Sequence, residues 1–448
     1  MAAWIQNYDP LHNKVLSTLV AALPVVVLLS SIALLRIRIH ISALLGLAVA
    51  LLVAVGIYRM PPIVALASAC FGAAYGLFPI GWIILNLIFL YHLTVRSGLF
   101  AVLRTSLSRI APDPRVQVIL IAFSFGAFFE GAAGFGTPVA VTAAILMQLG
   151  FKPLAASGLS LIANTAPVAF GALGTPIIAL SKVTNISELV LSRMIGRQLP
   201  FFSLIIPFWV VWAMAGFRGM CGIWPAALTA GLAFAIPQFL VSNFHGPWLV
   251  DIVASVCSIA AVSSLLKFWK PKEIWRLEND SKIELQPEAA GSGERVTAAW
   301  MPWLLLSLFV FIWGLPQFKR AADKVWAPAF QIPGLHSVVQ RAPPIAPEAS
   351  PGKPPHSEEA IYRFNILSAT GTAILVAAIL AGVLMRYPAT ELAKEYMRTL
   401  IQVRYSLLTI GAMLALGYVT RYSGTDATLG LALAGTGPLY PFFGTMLG

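Results

Sequence analysis

Long runs without a charged residue recur along the chain, and they restrict it to folds that cross a membrane. Val15–Leu35, Ile41–Tyr58 and Met60–Val95 hold no Lys, Arg, Asp or Glu. Of the 448 residues, 58% are hydrophobic and 11% charged, against roughly 25% charged in soluble globular proteins. Since one helical span needs about 20 apolar residues, the sequence predicts an all-α polytopic membrane protein with about ten to twelve transmembrane or re-entrant helices.

Further apolar runs follow, and each is predicted to form a membrane-spanning helix. The run Met60–Val95 is too long for one crossing and is predicted to break between Gly76 and Pro79. No basic cluster precedes Val15, so we interpret the first run as a retained span and not as a signal peptide. The later spans are predicted at Gln198–Phe217, Ile223–Leu240, Ile252–Leu266, Ala298–Leu315, Phe364–Met385, Tyr405–Thr420 and from Ala427 onward.

Two connections between the spans are long and polar. One is mixed in charge and the other rich in proline, and neither has the composition of a packed catalytic domain. The predicted parts of the chain are N-terminal helices (1–115), a glycine- and proline-rich core of broken helices (116–182), helices (183–266), a polar loop (267–297), one helix (298–315), a proline-rich loop (316–363) and incomplete C-terminal helices (364–448).

The formal net charge of the chain is +12. Its basic residues are scattered in short loops between apolar runs, as the positive-inside rule describes, and no nucleic-acid partner is expected. The basic loops Arg36–His40 and Arg96–Arg115 lie on the same side of the membrane if each predicted span counts as one crossing. We therefore place both loops in the cytoplasm and the N-terminus outside.

Motifs for metals and nucleotides are missing from the sequence. The three cysteines lie in or beside apolar runs without a C-x-x-C pair, and the six histidines are dispersed. No Walker A motif occurs, and Gly131-x-x-Gly134-x-Gly136 has the Rossmann spacing reversed. We expect no cofactor, no metal site and no disulfide framework.

Glu130 is the most conspicuous polar residue of the apolar regions. It is the only acidic residue between Asp113 and Glu188, and several glycines surround it. Insertion scales assign about +2.5 to +3.5 kcal/mol to Asp, Lys or Arg at the centre of a spanning helix. The retention of a carboxyl at such a cost indicates that it has a function. The chain is therefore a candidate transporter in which Glu130 lies near the substrate pathway.

The sequence on either side of Glu130 is apolar but poorly suited to regular helices. Glu130–Pro138 and Asn164–Pro176 are rich in glycine and proline, which disrupt helical hydrogen bonding. Both runs end in the same phrase, Gly136-Thr137-Pro138 and Gly174-Thr175-Pro176. Because Thr is a good N-cap and Pro is favoured at the first helical position, each phrase predicts a helix that begins within the membrane.

Helices that begin within the membrane favour a substrate site, since secondary transporters direct half-helix N-termini at anionic substrates. The alternative for one such run is close helix packing or a simple proline kink. Two runs that share a phrase, one of them with a buried Glu, favour the binding site. The predicted substrate-binding residues are Gly131, Gly134, Gly136, Thr137, Asn164, Thr165, Gly174 and Thr175.

Several segments of the chain closely resemble the bacterial L-lactate permease family. They are Glu130–Ala144, Gly150–Pro153, Asn164–Ala172, Gln6–Pro10, Gly196–Pro200 and Ser368–Ala373. The resemblance covers nearly the whole chain, and its most specific block is Glu-Gly-Ala-Ala-Gly-Phe-Gly. It implies a proton-coupled importer of L-lactate and related 2-hydroxy monocarboxylates, such as D-lactate and glycolate, in the bacterial plasma (inner) membrane.

Within that resemblance we expect a secondary active transporter of the inverted-repeat type, although the two Gly-Thr-Pro runs are too short to establish a repeat. Members of the family continue past the position of Gly448 with further spans and a second polar, glycine-rich core segment. The chain is therefore expected to be a fragment or a truncated product. If the substrate site is shared between two halves, it is expected not to transport by itself.

The mechanistic hypothesis is that Glu130 carries the coupled proton, because burial disfavours the charged form of a carboxyl. The alternative is a structural Glu130 bound to backbone N–H groups of the broken helix. Lys152 and Arg197 are candidate gate or anion contacts, although Lys152 lies in a predicted turn that favours the membrane interface. Arg421 and Asp426 flank the last partial span and are interpreted as loop residues.

Two other classes of protein compete with a proton-coupled carrier. A membrane-embedded enzyme would need acids, histidines or metal ligands gathered at one membrane face, and the polar loops carry no D-x-D pair and no Cys/His cluster. We therefore expect that the protein is not an enzyme. A channel, an uncoupled facilitator or a sodium-coupled carrier could use the same broken helices, and the dependence of uptake on a pH gradient would separate them.

Overall fold

The computed structural model describes residues 3–102, 111–132, 137–275, 293–346, 357–435 and 437. Most of the regular structure there is helical, as a bilayer requires of a segment that must satisfy its own backbone polar groups. The N-terminal helices are α1 (Lys14–Ala33), α2 (Ile39–Gly56), α3 (Pro62–Tyr75), α4 (Trp82–Arg96), α5 (Pro114–Val118), α6 (Gly126–Ala132), α7 (Thr137–Gln148), α8 (Pro153–Asn164) and α9 (Gly171–Thr184).

The later helices include two of 35 residues, α10 and α16. They are α10 (Glu188–Gly222), α11 (Trp224–Phe244), α12 (Val250–Phe268), α13 (Gly293–Gly314), α14 (Pro316–Val325), α15 (Thr370–Leu384), α16 (Ala389–Ser423) and α17 (Thr425–Ala434). Four short strands complete the described structure: β1 (Trp4–Ile5), β2 (Ala329–Gln331), β3 (Val339–Gln340) and β4 (Ile361–Arg363).

Nine helical stretches in the described ranges are long and apolar enough to cross a membrane. A tenth crossing is present if α8 and the segment Val168–Thr184, which meet at 67°, are counted as one broken span. The 15-residue helix α15 is apolar but shorter. The prediction of an all-α polytopic membrane protein with broken helices in its core is confirmed.

The long apolar run after Met60 is interrupted where its Gly and Pro residues predict. Between α3 and α4 the segment Gly76–Gly81 has π-helical hydrogen bonding, and Phe78 within it is extended, with φ −140° and ψ 124°. Pro79 cannot donate a backbone hydrogen bond to a helical ladder, so this turn cannot be a regular α-helix.

The chain divides into two compact units. The first unit consists of Met1–Gly81, Trp326–Ile366 and Ile401–Gly448, and the second of Trp82–Val325 and Leu367–Leu400. Each unit therefore combines segments that are far apart in the sequence.

In the first unit, the short strands pair segments that the sequence places in loops. β1 pairs in parallel with β3, and β2 pairs antiparallel with β4. The proline-rich region 316–363, predicted as a surface connection, thus contains α14 and three of these strands. The helices of this unit also approach closely, because a Cβ at Gly76 would lie 2.7 Å from the Cα of Gly411.

A buried ion pair links α16 to the segment that precedes β4. Arg421, near the end of α16, donates from Nη2 to Oε2 of Glu358 over 2.7 Å, and the side chains are 9% and 10% exposed. Arg341 pairs with the other carboxylate oxygen of Glu358. The interpretation of Arg421 as a loop residue is wrong, because tertiary contacts with the segment that carries Glu358 bury it.

Replacement of Glu358 by Ala is expected to lower the free energy of unfolding by about 3 kcal/mol or more, because it leaves a buried guanidinium without its anion. The matched control is Glu359→Ala, since Glu359 is the exposed neighbour in the sequence. Thermal unfolding of both variants in detergent measures the difference. Equal midpoints for the two variants would contradict a stabilising role of the ion pair.

In the second unit, the segment that carries Glu130 is the most deeply buried of the candidate spans. Of the stretch Pro114–Ala132, 94% is buried, against 28% of α1, which leaves most of its surface to lipid. An aromatic wall flanks α6: the rings of Phe128 and Phe129 lie 5.4 Å and 5.5 Å from the ring of Trp303, measured between centroids. This wall keeps one side of the Glu130 helix apolar.

Candidate functional site

Glu130 lies in the last two turns of the buried α5–α6 stretch and is itself 5% exposed. Its Oε1 faces Gly171, where an added Cβ would overlap that oxygen. The side chain of Asn164, the last residue of α8, lies near the same carboxyl. Among the described residues, the second oxygen, Oε2, has no hydrogen-bond partner. The carboxyl thus lies where α6, the end of α8 and the start of α9 meet.

The chain between α8 and α9 is broken next to this carboxyl. After a short 3₁₀ turn, Val168–Phe170, the backbone of Ala172, Leu173 and Gly174 is left-handed, with φ of 44°, 56° and 74°. Such φ values are rare for residues with a side chain and cluster at functional sites. The hydroxyl of Thr175 donates to the carbonyl of Ala172 over 2.5 Å and closes the turn. Right-handed helix resumes at Thr175, as the Gly-Thr-Pro phrase predicts.

The other Gly-Thr-Pro phrase also coincides with the start of a helix. α6 ends at Ala132 and α7 begins at Thr137. Gly134 and Gly136 lie outside the described residues. The two phrases therefore precede two helices, α7 and the regular part of α9, that begin within the apolar core.

Asp251, in the first turn of α12, is a second acidic residue of this region, and the sequence reasoning missed it. It is 1% exposed, and no described residue forms a hydrogen bond with either carboxylate oxygen. An added Cβ at Gly131 would lie 2.7 Å from the Asp251 Cβ, which places Asp251 directly beside the residue that follows Glu130. A signal existed: Asp251 is the only charged residue between His245 and Lys267.

The segment before α12 also contacts the broken helix. An added Cβ at Gly174 would lie 2.6 Å from the Cβ of Pro247. The left-handed turn, the end of α6 and the start of α12 therefore form one packed junction. Two buried carboxyls lie in it, and in each at least one oxygen lacks a hydrogen-bond partner in the part of the chain that the structure describes.

Comparison with known proteins identifies the family. The family model described as L-lactate permease matches residues 17–448. The chain belongs to the L-lactate permease family. A permease moves a solute across a membrane, so this protein is a transporter and not an enzyme.

The permease is similar to characterised relatives over its whole length. It is 43% identical to the glycolate permease GlcA of Escherichia coli K12 and 42% identical to the L-lactate permease of the same strain; both alignments cover 100% of this chain and 82% of the relative. It is 41% identical to the L-lactate permease of Bacillus subtilis 168, over 99% of this chain and 82% of that protein. No solved structure is significantly similar to it.

Of the predicted polar contacts, the permease brings Asn164 and Thr175 to the junction but not Thr165. Asn164 ends α8 beside Glu130, and Thr175 is buried in the left-handed turn. The side chain of Thr165 is exposed and donates to the carbonyl of Ile162 over 2.7 Å. Asn164 is thus the predicted residue whose side-chain amide lies beside the Glu130 carboxyl.

The two predicted basic residues lie away from the junction of the permease. Lys152 precedes α8, after the turn that the sequence predicts, and is exposed. Arg197 is exposed on α10 and donates from Nε to Oδ1 of Asn243 over 3.2 Å. Arg193 binds the backbone carbonyl of the same residue over 2.8 Å. Both arginines lie on the helix α10.

In the described part of the chain, no Lys or Arg is ion-paired with Glu130 or Asp251. The same residues contain no group of three or more His, Cys, Asp or Glu side chains that could hold a metal ion. An ionised carboxyl in such surroundings is costly, so protonation is the natural way to neutralise it. The chemistry that this arrangement supports is the binding and release of protons beside a broken helix.

Proposed function

We propose that the permease imports L-lactate and related 2-hydroxy monocarboxylates, including D-lactate and glycolate, by proton symport across the bacterial plasma membrane. The names of its relatives, L-lactate permeases and a glycolate permease, support the substrate class. The observation that carries the coupling is the Glu130 carboxyl, which is buried beside the left-handed turn of α9 and pairs with no described Lys or Arg.

Proton symport fits the electrostatics of this junction. A lactate anion that enters a site of low dielectric brings a charge, and transfer of a charge into such a medium is costly. A proton that enters with the anion leaves the occupied site with no added net charge. Glu130 is the proposed proton carrier, since its carboxyl can change protonation state without leaving a cation unpaired.

The lactate carboxylate needs donors, and backbone N–H groups supply them. Helices begin at Thr137 and near Thr175, and the N-terminus of a helix carries the positive end of its dipole and N–H groups that can bind an anion. We propose that the substrate binds along these two helix starts, with Asn164 as a polar side-chain contact. The proposed binding residues are Gly131, Gly134, Gly136, Thr137, Asn164, Gly174 and Thr175.

The test is uptake of radiolabelled L-lactate into proteoliposomes under an imposed gradient. With an acid exterior, one-to-one symport is expected to accumulate lactate by up to about tenfold for each pH unit, since a pH unit is worth 1.36 kcal/mol. Protein-free liposomes control for the passage of undissociated lactic acid, and a protonophore should abolish accumulation. Unlabelled D-lactate and glycolate should compete.

The same assay separates the rival functions. Accumulation driven by a sodium gradient, and not by a pH gradient, would show that sodium and not a proton is the coupled ion. Equilibration without accumulation under either gradient would identify a channel or an uncoupled facilitator.

A further inference from the structure

Asp251 is a buried acid that the proposed function does not use. It occupies the first turn of α12, 1% exposed, and no described donor binds either of its oxygens. Its backbone packs against the end of α6, where the backbone N–H of Ile252 would lie 3.2 Å from a Cβ at Gly131. Glycine at position 131 is therefore what allows Asp251 to lie this close to Glu130.

A buried carboxyl can be stabilised by a cation, by hydrogen-bond donors or by a proton. The described residues give Asp251 neither of the first two. An isolated ionised carboxylate in an apolar interior is so costly that the group takes up a proton instead. Among the described residues, protonation is therefore the remaining way to stabilise Asp251 in this conformation.

The charges around Asp251 come from few elements. From α6, Glu130 directly precedes Gly131, against which the Cβ of Asp251 packs. In the segment before α12, His245 lies with its ring stacked at 5.1 Å on Phe311, and Lys319 of α14 lies over Trp248, 3.8 Å from the ring centroid. α11 ends in uncharged polar residues, and on α9 the charge of Lys182 is paired with Glu188. Glu130 is thus the described group whose charge acts on Asp251.

We propose that Asp251 is a second proton-binding residue of the transport cycle and that it forms a carboxyl pair with Glu130. The pair binds and releases the coupled proton as a unit, because two neighbouring carboxyls in an apolar site do not both ionise. The position of Asp251 also permits ionisation once water enters, since the N-terminal turn of a helix stabilises a negative charge. This inference rests on the proposed proton symport.

The test compares Asp251→Asn with the wild-type permease in two assays. Lactate counterflow, which exchanges labelled for unlabelled substrate, needs binding and alternating access but no net proton movement. The amide imitates the protonated acid, so counterflow is expected to stay within about threefold of wild type. Accumulation driven by the pH gradient is expected to be lost, and the initial rate of that uptake to fall by about a hundredfold, the scale of a lost proton-transfer group. The pH profile of uptake should flatten as well.

The matched control is Glu188→Gln, which removes a carboxyl from the same unit at a position where it pairs with Lys182 over 3.8 Å and is partly exposed. It is expected to behave as wild type in both assays. Accumulation by Asp251→Asn equal to wild type would overturn the inference. Loss of counterflow in an inserted, folded variant would show a structural role and would also overturn it.

A measurement on the wild-type chain covers the case in which Asp251→Asn does not fold. Infrared difference spectra of protein with ¹³C-labelled aspartate identify the C=O stretch of a protonated aspartic acid by its isotope shift. The band is expected to change when lactate is added, and an aspartate signal indifferent to lactate would overturn the inference. Wild-type protein that shows no pH-gradient drive would refute the proposed function itself, before any variant is made.

Discussion

Glu130→Gln is expected to reduce the initial rate of lactate uptake driven by a pH gradient by at least about a hundredfold, the scale on which loss of a proton-transfer group acts. Glutamine keeps the length of the side chain and an oxygen that Asn164 can approach, so the junction should keep its shape. The glutamine side chain, however, cannot take up or release the coupled proton. Initial rates and accumulation ratios in proteoliposomes measure the loss, and lactate counterflow should persist.

The control for this variant is Glu391→Gln, which changes a partly exposed carboxyl that pairs with Arg96 over 3.6 Å at the start of α16. It should leave accumulation unchanged. If Glu130→Gln still accumulates lactate along a pH gradient, Glu130 is not the proton carrier. If counterflow disappears as well in a folded variant, Glu130 has a structural role in the broken helix.

Gly171→Ala is expected to lower both accumulation and counterflow by at least about tenfold, on the scale of losses that a small misplacement of a group near the site can cause. The added Cβ would overlap Oε1 of Glu130 and lie 3.1 Å from its Cγ and Cδ, so the carboxyl must move. Backbone strain is not the cause, because Gly171 has φ −58° and ψ 158°, which alanine adopts freely.

Gly158→Ala is the control, because a Cβ at this position in α8 meets nothing within 4 Å. It should transport as wild type and unfold at an equal or higher temperature, since Ala is favoured over Gly inside a helix by about 1 kcal/mol. Uptake assays measure transport by both variants, and thermal unfolding measures their stability. Normal transport by Gly171→Ala would show that the position of the Glu130 carboxyl is not critical.

The parts of the site that the sequence predicts are those with a local signal. Glu130 stands out because a carboxyl in an apolar run is expensive, and the helix starts at Thr137 and Thr175 follow from a cap residue and a proline in adjacent positions. Gly174 is left-handed, as a glycine before a helix start often is. These inferences need no knowledge of how distant segments pack.

The parts that the sequence does not reveal depend on contacts between distant residues. Asp251 lies at the edge of a predicted span, so its sequence position suggests an interface, and only the packing of α12 on α6 buries it. Arg421 likewise becomes a buried ion-pair partner through Glu358, 63 positions away. Lys152 and Arg197, the predicted anion contacts, are directed elsewhere by their helices.

The left-handed turn at residues 172–174 of α9 also indicates how much energy a rearrangement of this helix involves. Ala172 and Leu173 hold a conformation that costs roughly 1–2 kcal/mol for each residue relative to right-handed helix. Rewinding the two residues would therefore release about 2–4 kcal/mol, whereas one pH unit across the membrane supplies 1.36 kcal/mol for each proton. The energy stored in this turn and the work available from a few pH units are therefore of the same order.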